Sequence, residues 1–305
     1  MKVGLFSMFL DSSVPVFEIA PEVDQRGFES MYFPEHTHIP LQTLNPSGQP
    51  VQEMYKRFID PVVSMSMAVA VTKQLRVGTG ILLVAQHNHF VLAKELATID
   101  HFSGGRLLML GIGYGWNTLE MADHGLEPSQ RRTIAREKVE AMRALWSQDE
   151  ASYEGRFIKF GPCWQYPKPA QPAGIPVVLG ARPSEKTYRA VVAFADGWLP
   201  HGANHALVWP ADHEDISEDD GVPDEPLPEI LEGIATIRRL ASEAGRGPST
   251  IDITIFRTRC NLELIKKYAD AGVDRVVLDL PCTTRDRTVR VLDRYAGCLD
   301  EISRL

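Results

Sequence analysis

Residues 75–117 read LRVGTGILLVAQHNHFVLAKELATIDHFSGGRLLMLGIGYGWN and contain two strand-like segments around one helix-like segment. Leu75–Val84 and Arg106–Ile112 are short apolar runs, which is typical of strands buried on both faces. Between them, the apolar residues of Val91–Phe102 recur at three- and four-residue spacing, as on one face of a helix. A strand, a helix and a second strand in this order predict one unit of a parallel sheet.

The same alternation extends to both ends of the chain. The other predicted strands are Val3–Ser7, Ser30–Phe33, Pro176–Leu179, Gly197–Leu199, Ile251–Phe256 and Arg275–Leu280. The other predicted helices are Val14–Arg26, Asp60–Thr72, Gln130–Trp146, Ser184–Ala195, Glu229–Ala244, Leu262–Ala271 and Arg287–Ile302. This alternation predicts an α/β fold, a single (β/α)8 TIM barrel over residues 1–305, with an open doubly wound sheet as the alternative.

Three long stretches interrupt the repeat. Residues 38–59 and 201–228 follow the second and sixth strands, so we expect them on the C-terminal rim, where barrel enzymes have their active sites. Residues 148–175 follow the fourth helix and are expected on the opposite side, with an extra hairpin within Ala151–Phe160. Loops this long are usually functional or disordered.

The composition argues against several classes of protein. The formal net charge of −8 and the pI near 5.6 indicate no basic surface for nucleic acid. No apolar run approaches the roughly 18 residues of a membrane span, and no secretory signal is evident. The four cysteines are far apart and form no CxxC pair, so neither a disulfide framework nor a metal knot is expected. These features predict a cytoplasmic protein that binds neither nucleic acid nor a membrane.

The segment Leu110–Asn117, LGIGYGWN, raises the question of a nucleotide-binding loop. A dinucleotide fingerprint has the spacing GxGxxG after the first strand and an acidic residue about 20 positions later. Here the glycines are spaced GxGxG after the fourth strand, and arginines occur in residues 131–136 instead. Two interpretations remain: the glycines let the strand leave a crowded barrel, or they let a flat ligand approach the backbone.

Several segments resemble, in order and over nearly the whole chain, the luciferase-like flavin and deazaflavin (coenzyme F420) oxidoreductases. They are residues 75–117, SMYFPEHTHIP (30–40), SYEGRFIKF (152–160), PVVLGA (176–181), FADGWLP (194–200) and AGVDRVVLDLP (271–281). ATIDHFSGGR and FADGWLP are together the most specific. The chain most closely resembles the F420-dependent subgroup of this bacterial luciferase-like family. The resemblance implies a TIM barrel, a cofactor across its C-terminal mouth and a homodimer.

The resemblance also implies roles for two strand ends. The tricyclic ring of the cofactor would rest against a bulge in the third strand that carries a non-proline cis peptide, at Gly80-Ile81. His36, in the pair Glu35-His36 after the second strand, would exchange a proton as hydride arrives at or leaves the ring, because imidazole titrates near neutrality. The alternative for His36 is a histidine that caps the strand end, and His38 is expected to be structural.

The cofactor phosphate would bind after the fifth strand, at residues 180–184. Gly180 and Ala181 would allow close approach of the backbone, Arg182 would supply a guanidinium fork, and the helix start at Ser184 would supply free N–H groups. A plain turn with a serine cap is the alternative.

The glycine loop and one tryptophan complete the expected site. Gly113 and Asn117 are expected to contact the cofactor, and Trp116 and Trp198 are expected to border the substrate. Trp209, in the acidic insertion, would either cover the substrate or anchor its own loop.

Tyr114 departs from the family pattern. Sugar-phosphate and alcohol dehydrogenases of the family carry a glutamate there, and the FMN-using luciferases place an arginine nearby. We therefore count Tyr114 with His36 as a catalytic candidate in a site better suited to reducing an activated double bond or imine, or to handling oxygen.

These observations predict hydride transfer between F420 and a small, apolar, electron-poor substrate. An FMN-dependent luciferase-like monooxygenase is the alternative. A more distant alternative is a metal-dependent barrel hydrolase in which His36 and His38 form an H-x-H pair completed by Asp279 and His201. The preferred interpretation contains no metal. A non-catalytic flavin-binding protein, with the acidic residues 212–225 serving a partner, is also left open.

Overall fold

The computed structural model describes residues 1–201, 225–281 and 283–305. In these residues, parallel strands form a closed barrel in sequence order. The barrel strands are β1 Lys2–Phe6, β2 Ser30–Phe33, β3 Arg76–Thr79, β4 Leu107–Ile112, β7 Val177–Leu179, β8 Gly197–Trp198, β9 Asp252–Thr258 and β10 Arg275–Asp279. The predicted TIM barrel is therefore confirmed, and the open sheet is excluded because β1 pairs with both β2 and β10.

Helices lie between the barrel strands, as the alternation predicts. They are α1 Val16–Gln25, α2 Pro61–Val71, α3 His89–Ser103, α4 Thr118–Asp123, α5 Arg131–Ser147, α6 Glu185–Phe194, α7 Pro228–Glu243, α8 Leu262–Asp270 and α9 Arg285–Ser303. The sequence analysis missed α4, which has only six residues and lies next to the glycine loop. No helix among the described residues has both the length and the apolar character that crossing a bilayer requires.

The strands alternate between two apolar layers. On β10, Val276 and Leu278 pack in the layer between the strands and the helices. Val277 belongs to a second layer, most of whose members come from barrel strands, and it therefore faces the barrel interior. This two-residue period explains why the barrel strands are apolar throughout rather than alternately polar.

The third strand ends earlier than predicted. Arg76–Thr79 is followed by the cis peptide Gly80-Ile81 and a 3-10 turn over Val84–Gln86. The apolar run continues to Val84 because these residues stay buried, not because they stay in the sheet. Apolar character alone therefore overestimated the strand by five residues.

The insertions lie where they can shape the mouth and the outer wall. Tyr55 and Phe58, within residues 38–59, line a cavity at the C-terminal ends of the strands. The second insertion forms the predicted hairpin, β5 Ala151–Glu154 and β6 Lys159–Cys163. It contacts α5, and its turn is bound by the Glu137 carboxylate in the first half of that helix. The hairpin thus covers the outer wall rather than only the opposite rim.

Most of the third insertion, including Trp209 and residues 212–224, lies outside the described residues.

Candidate active site

A cavity of about 790 Å³ lies at the C-terminal mouth of the barrel. Its walls come from the segments after β2, β3, β4, β7 and β8 and from the end of β9, so it occupies the usual position of barrel active sites. Its volume falls in the range of small-molecule sites, roughly 300–1,000 Å³.

The cavity brings together most of the predicted site residues. Those on its surface are His36, Gly80, Ile81, Gly113, Tyr114, Trp116, Gly180, Ala181, Arg182 and Ser184. Asn117 and Trp198 are predicted site residues that do not line it.

Asn117 and Trp198 support the wall from behind. The Asn117 side chain is buried and accepts a hydrogen bond from the Glu120 N–H, which makes it the N-cap of α4. Trp198 is completely buried, and its indole N–H donates to the Ala181 carbonyl at 3.0 Å. Direct contact of either residue with a ligand therefore gains no support, because each side chain is used inside the protein.

Ile81 fills the space that two glycines leave. A Cβ atom on Gly113 would lie 2.3 Å from Ile81 Cδ1, and one on Gly180 would lie 2.5 Å from Ile81 Cγ2. Both distances are far below van der Waals contact, so neither position accepts a side chain while Ile81 stays in place. Ile81 therefore accounts for glycine at both positions, and both glycines line the cavity.

His36 is oriented by a buried carboxylate from α4. Its Nδ1 lies 2.7 Å from Glu120 Oε2, with side chains that are 6% and 0% exposed. A carboxylate can only accept, so the proton of the uncharged ring is on Nδ1 and Nε2 is left for a ligand in the cavity. Glu120 Oε1 also accepts a hydrogen bond from the Thr37 N–H at 3.0 Å.

The charge on Glu120 is stabilised by these contacts. Burial raises the pKa of Glu120, but the hydrogen bond and the charge interaction with His36, together with the Thr37 N–H, lower it by more, so the net pKa is below its usual value. Glu120 is therefore a carboxylate at neutral pH. The sequence analysis missed it, since it lies 84 positions from His36 on the undetected helix.

Glu35, which precedes His36 in the acid-His pair of the sequence, has other partners. Glu35 points away from the His36 ring, and its carboxylate contacts His87 Nε2 at 2.6 Å and the Leu83 N–H. Successive side chains of extended backbone point to opposite sides, which explains why neighbours in sequence have different partners. Glu35 holds the segment after β3, whereas Glu120 holds His36.

An aromatic wall surrounds the His36 ring. Tyr55, Phe58 and Trp116 have ring centres 5.5, 6.0 and 5.4 Å from its centre. Two of these rings come from the insertion after β2, so that insertion helps to keep water away from the imidazole. No motif in the sequence singled out Tyr55 or Phe58.

Cationic side chains also line the cavity. Arg131 and Arg132, at the start of α5, line it together with Arg182. The Arg132 guanidinium lies 4.5 Å from the centre of the Tyr114 ring. Burial raises the pKa of Tyr114, while Arg132 and Arg136 oppose the rise, so the phenol keeps its proton at neutral pH. Tyr114 can therefore donate a hydrogen bond to a ligand.

A buried ion pair adds a charged group that the sequence analysis did not assign to the cavity. Arg257, at the end of β9, lines the cavity and donates from Nε to both Asp279 carboxylate oxygens at 2.9 Å. Because Asp279 binds this guanidinium and His36 binds Glu120, the metal site proposed for a barrel hydrolase is not assembled from these residues.

Comparison with known proteins identifies the family. Residues 12–209 match the family model for luciferase-like monooxygenases. An uncharacterized protein of Mycobacterium tuberculosis is 36% identical over 304 residues, which cover 98% of this chain and 99% of the relative. The chain therefore belongs to the luciferase-like monooxygenase family, and it is an enzyme of the oxidoreductase and monooxygenase class.

Relatives in this family use different cofactors. An F420-dependent glucose-6-phosphate dehydrogenase of Kineococcus radiotolerans is 26% identical over 53% of this chain and 46% of its own. An FMNH2-dependent dimethylsulfone monooxygenase of Pseudomonas putida is 35% identical over 36% of this chain and 31% of its own. The relatives of this chain thus include both F420-dependent and FMNH2-dependent enzymes.

Solved structures share the fold. A monooxygenase from Streptomyces bottropensis has a TM-score of 0.72 and 18% identity, with 99% of both chains covered. The F420-dependent tetrahydromethanopterin reductase from Methanopyrus kandleri has a TM-score of 0.69 and 16% identity, with 97% of both chains covered. At these identities the likeness extends to the barrel only.

Replacing Glu120 by glutamine tests the buried carboxylate. We expect Glu120→Gln to lower the free energy of unfolding by about 1.5–3 kcal/mol, because it removes charge-assisted bonds to His36 and Thr37. Urea unfolding followed by circular dichroism measures the difference. Glu18→Gln, on the exposed face of α1, is the control and should change stability by less than about 0.5 kcal/mol. Equal effects of the two substitutions would contradict the assigned role of Glu120.

Proposed function

We propose that this luciferase-like protein binds F420 in the cavity and transfers a hydride between it and a small, apolar, electron-poor substrate. The observation that carries the proposal is the His36–Glu120 pair, which places an oriented imidazole on the wall of the cavity. Reduction of an activated double bond or imine needs one proton for each hydride, and one imidazole suffices for that. When bound, the deazaflavin would supply the ring carbon that gives or takes the hydride.

The cavity has the two kinds of surface that such a cofactor needs. Ile81 and Phe256 provide apolar area for a flat ring. Arg182 and the first turn of α6 provide donors for a phosphate, because Ser184 Oγ satisfies the Thr187 N–H while other N–H groups of that turn have no helical acceptor. These features support binding of a phosphorylated tricyclic cofactor, which describes F420 and FMN alike.

In this proposal His36 moves the proton through Nε2. Nδ1–H stays bound to Glu120, and the carboxylate stabilises the imidazolium whenever Nε2 holds the proton. Tyr55, Phe58 and Trp116 limit the access of water to the ring, and Trp116 would also border the substrate. Tyr114 would act as a hydrogen-bond donor to the substrate, since its raised pKa keeps the phenol protonated.

Cofactor binding tests the proposal directly. We expect the purified protein to bind F420 more tightly than FMN in absorbance or fluorescence titrations. Arg182→Met should weaken F420 binding about tenfold, since it removes a charged contact to the phosphate. Arg189→Met is the matched control, because Arg189 lies on α6 but does not line the cavity and pairs with Glu185. Tight FMN binding with negligible F420 binding would favour the FMN-dependent monooxygenase instead.

Replacing His36 tests proton exchange. With activated alkenes and imines as the substrate panel, His36→Asn should slow turnover by at least about 10²-fold. Cofactor affinity should change little, because the affected step is proton transfer. His101→Asn, on the far end of α3, is the control. Unchanged turnover in His36→Asn would reduce His36 to a structural residue.

We further propose that the protein is a homodimer that uses the outer face of α2. Val63, Met67 and Val71 follow one another at helical spacing on that face and are 52%, 40% and 43% exposed. The adjacent α3 adds Val91 and Phe102, which are 55% and 81% exposed. The stripe on α2 carries no charged residue, and an exposed apolar stripe of this kind is typical of a protein contact surface.

A charge on this stripe tests the dimer. We expect the wild type to sediment as a dimer and Met67→Glu to sediment as a monomer, because the contact would bury an unpaired carboxylate. Leu231→Glu, which changes an exposed leucine on α7 in the same way, should remain dimeric. A monomeric wild type, or a dimeric Met67→Glu, would contradict this contact surface.

A further inference from the structure

A second cluster of polar side chains lies beside the His36–Glu120 pair. His38, Glu120 and His124 each offer one donor atom, and these atoms lie within 4.8 Å of one another. His38 comes from the loop after β2, whereas Glu120 and His124 come from α4 and its C-terminal end. The two histidines are exposed and Glu120 is buried, so the cluster is open to solvent on one side and is anchored in the protein interior by Glu120.

The donor atoms converge on one point. Thr37 Oγ1 lies 2.7 Å from His124 Nε2, 2.9 Å from His38 Nδ1 and 3.4 Å from Glu120 Oε1. His38 Nδ1 and Glu120 Oε1 both direct lone pairs at this hydroxyl, which has a single proton to donate. The centre of the cluster is therefore rich in lone pairs.

A further carboxylate orients one of the histidines. Asp123 Oδ2 lies 3.0 Å from His38 Nε2, so it accepts a hydrogen bond from Nε2–H and leaves the lone pair on Nδ1, directed at the centre. Carboxylates that bind the distal nitrogen in this way are a regular feature of histidine metal ligands.

We propose that His38, Glu120 and His124 form a binding site for a divalent transition metal ion, best suited to Zn²⁺. Two imidazoles and one carboxylate are ligands that Zn²⁺ accepts, and three protein ligands leave a fourth position for water. The site goes beyond the proposed hydride transfer and does not depend on it.

Binding of an ion at this site requires only small movements of the ligand side chains. Zn²⁺ bonds to nitrogen and oxygen are about 2.0–2.2 Å long, so an ion in place of Thr37 Oγ1 requires each ligand to move in by roughly 1 Å. The exposed histidine side chains can do so, and the Thr37 hydroxyl can turn away by rotation about χ1. A bound ion would join the loop after β2 to α4 and so stiffen the wall that holds His36.

Zinc titration of the whole protein, without cofactor or substrate, tests this site. After treatment with a chelator, calorimetry should show one Zn²⁺ bound per chain, and Zn²⁺ should raise the midpoint of thermal unfolding. Loss of an outer partner already weakens metal sites by about 10–100-fold, so His38→Gln and His124→Gln should each weaken binding at least about tenfold. Co²⁺ in place of Zn²⁺ should give visible absorption bands that both variants lose.

His101→Gln is the matched control, because it removes an exposed histidine elsewhere on the surface. It should leave Zn²⁺ affinity unchanged. Absence of Zn²⁺ binding in the wild type, or the same affinity in His38→Gln and His124→Gln as in the wild type, would overturn the proposal. Because F420 and FMN are not used, neither result bears on the proposed hydride transfer.

Discussion

The hydrogen bond between His36 Nδ1 and Glu120 Oε2 is the contact on which the rest of the site depends. It joins the end of β2 to α4, and it fixes which ring nitrogen is left for the cavity. The cost of burying the Glu120 charge is offset by bonds from two neighbours, His36 and Thr37. Asn117 is the N-cap of α4. The segment after β4 therefore helps to position Glu120, and through Glu120 the His36 ring.

The floor of the mouth follows from a second constraint, the position of Ile81. Its side chain occupies the space beside Gly113 and Gly180. Ile81 in the segment after β3 therefore requires glycine in the segments after β4 and β7. This explains part of the glycine spacing in LGIGYGWN without a nucleotide loop.

The sequence predicted the fold better than the site, for physical reasons. Buried strands appear as short apolar runs, and amphipathic helices appear as apolar residues at three- and four-residue spacing, so a short stretch of sequence reveals both. Even the short β2 was predicted with its observed bounds. α4 has six residues, too few for a period, and with it Glu120 was missed. The motif Glu35-His36 gave no indication that Glu35 contacts His87 and the Leu83 N–H rather than His36. Tyr55, Phe58 and Arg257 reach the cavity through tertiary packing, which no local pattern records.

The central claim is that Glu120 holds the proton of the uncharged His36 ring on Nδ1 and leaves Nε2 for the cavity. Nitrogen-15 chemical shifts of the His36 ring, assigned by the signals that His36→Asn loses, measure this directly. At a pH where the ring is uncharged, the account predicts a protonated Nδ1 and an unprotonated Nε2. A protonated Nε2 with an unprotonated Nδ1 would contradict it.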